Sequence, residues 1–280
     1  MNPVWSELNA RLAEVSSGGL RELSLITESV VGLPADRFLL QWVSSSLPDP
    51  TEGEKDELCR IVSRRCDGEP LQYLLGSADF YGRSFAVAPG VLIPRFDTEI
   101  LIDTALPFLT EESRVLDLCA GTGCIGLTLA AETGAAVTEL EKYDGAFALL
   151  EKNAAAHCPS ARLLRADLFE ASLDGTFDMI VSNPPYIPTA DLGSLSPEVR
   201  KEPVTALDGG EDGLLFYRAI LRRFLKNLRP GGRILFECGI GQAAALEDLL
   251  LAHGCIEPVR IRDYGGVERV VGAKKPKGVS

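Results

Sequence analysis

Residues 114–126 read RVLDLCAGTGCIG, and their order decides the fold. A short apolar run stops at Gly121-Thr122-Gly123-Cys124-Ile125-Gly126, a G-x-G-x-x-G at a predicted strand-to-helix junction. Glu141 follows about 20 residues after the first glycine, at the end of the next apolar run. Glycines in such a turn let the backbone approach a ligand, and a carboxylate at the second strand tip can accept from both ribose hydroxyls. The pattern predicts a nucleoside-containing ligand, and taken by itself it suits a nicotinamide dehydrogenase.

Outward from this unit, short apolar stretches alternate with helical ones. The strands are expected at 114–119, 135–141, 161–168, 177–183 and 232–238. Such alternation predicts a parallel sheet with helices on both faces. The end differs: CIEPVRIRD and VERVVGAKK, separated by Tyr264-Gly265-Gly266, read as an antiparallel pair at the sheet edge. The fold class is therefore α/β, a Rossmann-like sheet with an antiparallel C-terminal edge strand. Before it, residues 1–75 carry helical spacing (Val4, Leu8, Leu12; Leu20 to Val31; Phe38, Leu39, Trp42, Val43; Leu58, Ile61, Val62) and predict a small helical domain. Residues 76–95 switch to aromatic and β-branched alternation with Gly82 and Pro89-Gly90 as turn signals, so a β-hairpin linker precedes a domain spanning 96–280.

The totals narrow the function. A formal net charge of −12 argues against stable binding of long nucleic acid, and 46% hydrophobic residues suffice for a sizeable core. Seven cysteines without C-x-x-C spacing and only two histidines predict reduced thiols and no metal site. With no signal peptide and no apolar run long enough to span a bilayer, the expected location is the cytoplasm.

Two further features point away from a dinucleotide. Asp117, four residues before Gly121, puts a carboxylate near the strand's carboxyl end, where it would repel a pyrophosphate but attract an ammonium. That suits S-adenosylmethionine, and Asp167 after the third strand could accept from its adenine amino group. The fourth strand ends in Asn183-Pro184-Pro185-Tyr186, bordering the same crevice. The Asn183 side chain and the Pro184 carbonyl could accept both hydrogens of one planar –NH2 group, with Pro185 stiffening the turn and Tyr186 walling the pocket. Holding both N–H bonds aims the nitrogen at a sulfonium methyl and stabilises the charge that develops on it. The tetrapeptide does not distinguish an amide from an adenine.

With GEPLQYLLG at 68–76, FAVAPGVLIPRFDTE at 85–99, VLDLCAGTGCIGL at 115–127, NPPYIP at 183–188 and EPVTALDGGEDGLLFYR at 202–218, the chain resembles the HemK/PrmC-type release factor glutamine methyltransferases. The resemblance implies a class I methyltransferase sheet and transfer of a methyl group from S-adenosylmethionine, leaving S-adenosylhomocysteine. The implied acceptor is the N5 amide of the glutamine in the Gly-Gly-Gln motif of peptide chain release factors, recognised with the help of the helical domain. It further implies a cofactor site of Asp117, Gly121, Gly123, Glu141, Asp167 and Asn183, and a catalytic and substrate-amide site of Asn183, Pro184, Pro185 and Tyr186. Alternatives are glutamine methylation of a ribosomal protein and adenine N6 methylation of nucleic acid. The chain departs from the family pattern at Cys119 and Ala120 in the glycine loop, at Phe96 where proline is usual, and at Leu168 where an aromatic residue often stands. Glu139 competes with Glu141 as ribose ligand; Glu141 is chosen because it ends the strand and keeps a 12-residue interval to Asn153.

Overall fold

Spacing of apolar residues at three and four positions builds the N-terminal helices, because it lines one face of a 3.6-residue helix. In the computed structural model, which describes residues 2–277, these are α1 (Pro3–Val15), α2 (Gly19–Val31), α3 (Ala35–Val43), α4 (Glu52–Cys66) and α5 (Leu71–Leu75). Trp5, Leu8, Leu12, Leu23, Ile26, Phe38, Leu58 and Val62 form their core, with Trp5 edge-on to Phe38 at 5.5 Å. Thr51 and Glu54 cap α4 reciprocally. The buried Arg65 guanidinium is neutralised by Glu22 and Glu198, each at 2.7 Å. Residues 196–201, distant in sequence, thus belong to this helical unit, and the rest of the chain from Ala78 forms a second unit. On α3 only Phe38 is buried, while Leu40 and Val43 are 71% and 85% exposed, so its apolar stretch is wider than the core it meets.

The second unit begins with a hairpin of β1 (Ser77–Phe80) and β2 (Arg83–Ala86). Its two turn residues, Tyr81 and Gly82, have φ of 49° and 71°, the left-handed pair that matches the twist of a two-residue hairpin. Then follow α6 (Glu99–Ala105), β3 (Arg114–Leu118), α7 (Cys124–Thr133), β4 (Ala136–Glu141), α8 (Asp144–His157), β5 (Arg162–Arg165), β6 (Phe177–Ser182), α9 (Leu215–Phe224), β7 (Leu228–Glu237), α10 (Ala243–Ala252), β8 (Ile256–Arg262) and β9 (Glu268–Lys274). The seven-stranded sheet runs β5-β4-β3-β6-β7-β9-β8. Five strands are parallel, and the C-terminal hairpin inserts its second arm, β9, antiparallel between β7 and β8.

Side chains alternate across each strand, which divides the core into two layers. Val115, Val137, Met179 and Val181 pack with α6, α7 and α8 on one face. Leu116, Leu118, Leu140 and Ile180 pack with α9 and α10 on the other. Strand order reverses between β3 and β6, so their carboxyl ends flank the crevice where open α/β sheets bind ligands. The expected third strand is shorter than its apolar stretch, since 166–168 leave the sheet for the crevice wall.

Candidate active site

The glycine loop after β3 turns on left-handed residues at Cys119 (φ 62°), Gly121 (φ 57°) and Gly123 (φ 78°). A non-glycine residue in such a conformation costs of order 1 kcal/mol, a cost that Cys119 carries. Gly121 borders an open cleft at the carboxyl ends of the strands, lined also by Glu141, Asp167 and Asn183. Gly123 does not line it. A Cβ there would lie 2.5 Å from Leu150 Cδ1 on a left-handed backbone, so packing and the turn into α7 both favour glycine.

Glu141 lines the cleft at the tip of β4. Its Oε1 accepts from the backbone N–H groups of Lys142 and Tyr143, both at 2.8 Å, and its Oε2 from that of Gly121 at 2.9 Å. These bonds fix the carboxylate at the rim while leaving lone pairs for further donors. Asp167 also lines the cleft; Oδ1 accepts from Phe169 N–H, and Oδ2 pairs with Lys142 Nζ at 2.8 Å, which holds its pKa below the ordinary value. Phe169 and Phe216, edge-to-face at 5.1 Å, supply the aromatic wall that Leu168 does not, since Leu168 is 3% exposed and mostly core.

Asp117 is not brought to this cleft. The residue is fully buried, faces α7 in step with Val115, and accepts from Gly126 N–H at 2.9 Å. Its neighbour in strand register is Glu139, also fully buried. Burial raises the pKa of both, Asp117 to about 7 and Glu139 well above the carboxylate range. Asp117 Oδ1 and both Glu139 oxygens have no donor among the described residues, a deficit that one proton held by Glu139 and shared with Asp117 relieves. Gly126 completes the site: a Cβ there would lie 2.2 Å from Glu139 Oε1. The reading of Asp117 as an ammonium ligand is therefore corrected. It braces the glycine loop by holding the first turn of α7, and Glu139 is its partner, leaving Glu141 as the carboxylate at the rim.

At the end of β6, Asn183 and Pro185 line the cleft, whereas Pro184 and Tyr186 do not. Asn183 Nδ2 donates to Thr98 Oγ1 at 3.3 Å, and Asn183 Oδ1 is shielded from solvent and has no donor among the described residues. Tyr186 points away toward Glu237, its hydroxyl 3.4 Å from Oε1, and burial raises its pKa. The tyrosine anchors the turn instead of walling the cleft. Its backbone is clasped by the 206–214 segment: Ile187 N–H donates to Leu207 O and Gly209 N–H to Ile187 O, and a Cβ on Gly213 would lie 2.2 Å from Tyr186 O. Glu202 receives Ile93 N–H at 3.0 Å and pairs with Arg95, tying the 91–98 segment to the same loop. Phe96 is 66% exposed and stacks at 6.2 Å on Tyr264. Thr98, Phe169, Phe216 and Lys142 were not identified as site residues from sequence. The aromatic at 169, two residues after Asp167, was the one available signal.

Comparison with known proteins agrees with this architecture. The methyltransferase small domain family matches residues 95–195. A methyltransferase from Pyrococcus furiosus shares the fold, with a TM-score of 0.54 at 17% identity over 70% of this chain and 91% of that one. A release factor glutamine methyltransferase from Geobacter sulfurreducens is 46% identical over 228 residues, 80% of each chain. Its counterpart from Agrobacterium fabrum is 38% identical over 278 residues, 96% of each chain. Identity at this level over most of the chain, on this sheet topology, means that the chain belongs to the release factor glutamine methyltransferase family.

Proposed function

We propose that this protein methylates the side-chain amide nitrogen of the glutamine in the Gly-Gly-Gln motif of peptide chain release factors, using S-adenosylmethionine. The observation that carries the reading is the unpartnered Asn183 Oδ1 at the cleft, a shielded acceptor whose neighbouring Nδ2 is already engaged. A buried acceptor without a donor is costly unless a ligand completes it. A glutamine –NH2 group supplies the missing donor.

The cleft fits the cofactor. Glu141, fixed by three backbone donors, would receive the ribose hydroxyls; Asp167 would accept from the adenine amino group; Phe169 and Phe216 would flank the base; Gly121 would admit the backbone to close range. When bound, S-adenosylmethionine supplies an electrophilic methyl on a sulfonium. Asn183 then holds one N–H of the acceptor amide, and the Pro184 carbonyl, fixed by the Pro184-Pro185 turn, takes the other in this reading. Orientation and stabilisation of the developing positive charge need no strong base before transfer. The helical unit, with the exposed Leu40 and Val43 on α3, would dock the release factor. Such a substrate places the working enzyme in the cytoplasm, and among the described residues no helix is long and apolar enough to cross a membrane.

The test is incubation with purified release factor and methyl-labelled cofactor, followed by mass-spectrometric site mapping. Label on the Gly-Gly-Gln glutamine is expected, and Asn183→Ala should lower transfer by about 10²–10³ while cofactor affinity stays within a fewfold. Label on a ribosomal protein or on adenine, with none on the release factor, overturns the reading.

A further inference from the structure

Asn183, at the end of β6, stands on a border in the sheet. The other strand ends that line the cleft are those of β3, β4 and β5, at Gly121, Glu141 and Asp167. On the far side of β6 the sheet continues as β7, β9 and β8. A cofactor filling the cleft takes the first side, and in-line transfer puts the acceptor nitrogen opposite the sulfonium. The chain that carries the acceptor must therefore cross the β7–β9–β8 side of the same edge. That side presents aromatic rings to solvent. Because β9 runs antiparallel, with Val270 opposite Glu237, the β8–β9 turn returns to the carboxyl end of β7. Tyr264 on this turn is 78% exposed, and its ring lies 6.2 Å from that of the equally open Phe96. Phe96 begins the turn Phe96–Thr98, whose last residue accepts from Asn183 Nδ2, so the pair sits two residues from the partner of the amide-accepting side chain. Ile240, also exposed, follows β7 at the same edge, two residues after Cys238, whose N–H donates to Arg269 O at 2.9 Å. Exposed apolar side chains scattered singly need no explanation, but three on one edge beside an acceptor site do.

The stretches that carry the two rings are held by charge, not by burial of the rings. Arg269 on β9 pairs through Nη2 with Asp97 at 3.2 Å and through Nε with Asp263 at 3.0 Å. Each aspartate is the chain neighbour of one aromatic, Phe96 or Tyr264. Asp263 Oδ1 also accepts from Val267 N–H at 2.9 Å, and Gly266 N–H donates to Asp263 O at 2.9 Å, so the turn closes without help from the tyrosine ring. Side chains this exposed take little apolar surface from water, and folding does not account for them. One guanidinium thus fixes two surface aromatics in advance, which spares a partner part of the entropy of ordering them.

We infer that Phe96 and Tyr264 form the platform on which the acceptor segment of the protein substrate lies, and that they take the glycines preceding the target glutamine. The inference rests on the reading of that substrate as a Gly-Gly-Gln segment. A residue without a Cβ brings its backbone close to a neighbouring surface, so its flat peptide planes can lie against the ring faces. A side chain at the same position would lift the backbone off the rings. The aromatic pair therefore selects for glycine beside the glutamine, while Asn183 selects the amide.

The experiment measures steady-state methylation of purified release factor by wild type, Phe96→Ser, Tyr264→Ser and Phe96→Tyr, with cofactor affinity by calorimetry and thermal unfolding for each. Loss of either ring should raise KM for the release factor about three- to tenfold, with kcat within about twofold, the signature of lost uniform binding. Cofactor affinity and unfolding temperature should not change, and Phe96→Tyr should keep the wild-type KM. Each enzyme is also given release factors with either glycine of the motif replaced by alanine. The methyl at the contacting glycine should raise the wild-type KM at least about threefold, but the Phe96→Ser KM by less than about twofold, because the contact it disturbs is already gone. A merely structural role of the rings would not move that difference.

Benzoylphenylalanine in place of Tyr264 gives a readout that needs no turnover. Irradiated with the release factor, it should crosslink within a few residues of the Gly-Gly-Gln motif, as mapped by mass spectrometry. If the wild type methylates the glutamine but the ring variants keep its KM, or the alanine substitutions cost both enzymes equally, the platform inference fails alone. If no glutamine is methylated, the functional reading fails; a crosslink absent or placed elsewhere then overturns the inference as well, and one at the motif upholds it.

Discussion

Glu139→Gln isolates the buried carboxyl pair behind the glycine loop. Asp117 and Glu139 lie opposite each other in the β3–β4 register, both without solvent access, and burial raises the pKa of each. A carboxyl whose folded pKa is raised binds a proton in the native chain that the unfolded chain has released. Its contribution is therefore present below the unfolded value near 4 and is lost as pH rises toward the folded value. Each such proton contributes a slope of up to about −1.4 kcal/mol per pH unit. Glutamine at 139 donates permanently to Asp117 Oδ1 and lets Asp117 stay ionised. The variant should lose one proton's worth of slope between pH 5 and 8 and become more stable than wild type at the alkaline end. Glu237, raised to about 7 by burial, adds the same slope to both proteins and cancels in the difference. Urea unfolding by far-UV circular dichroism across this range measures the effect. Tryptophan fluorescence is the internal control, since Trp5 and Trp42 both lie in the helical unit. Parallel stability-versus-pH lines for variant and wild type would refute the shared proton.

Three other perturbations probe the site. Glu141→Gln puts an amide before three backbone donors that need a carboxylate, and calorimetry should show cofactor affinity weakened about 10- to 100-fold, the loss of one or two charge-assisted bonds. Phe216→Ala removes one face of the aromatic wall and should weaken cofactor binding about three- to tenfold, with the methylation site unchanged by mass spectrometry. Gly213→Ala drives a Cβ to 2.2 Å from Tyr186 O and 2.3 Å from Gln242 Nε2 at a backbone φ of 72°, so thermal unfolding should fall by several degrees, corresponding to about 2–4 kcal/mol, and transfer should fall with it.

The sheet was legible because its evidence is local. Val115, Leu116 and Leu118 alternate between the two cores, the loop glycines sit at left-handed positions, and Tyr81-Gly82 carries the hairpin turn. The aromatic wall was not. Phe169 and Phe216 lie on separate connections, and only the tertiary fold sets their rings at 5.1 Å. The same holds for the bond from Asn183 to Thr98, which joins the end of β6 to the turn before α6. No spacing in the sequence relates those two positions.

The carboxylates show what a motif leaves undecided and what strand geometry decides. Asp117, Glu139 and Glu141 are all acidic residues near strand ends beside a glycine loop, and residue type alone makes each a ligand. The register sets Asp117 level with Glu139, whereas Glu141 is two residues further on, about 7 Å nearer the rim at the rise of a strand. Parity does the rest: Asp117 shares a face with Val115 and Glu139 with Val137, both directed at α7, where Gly126 makes room. An acidic residue one step inside the strand meets helix and core, and burial keeps its pair protonated; one at the tip meets backbone donors and the cleft. In this chain, therefore, depth along the strand separates the brace from the cleft-facing group, and a one-residue change of register between β3 and β4 would abolish the distinction.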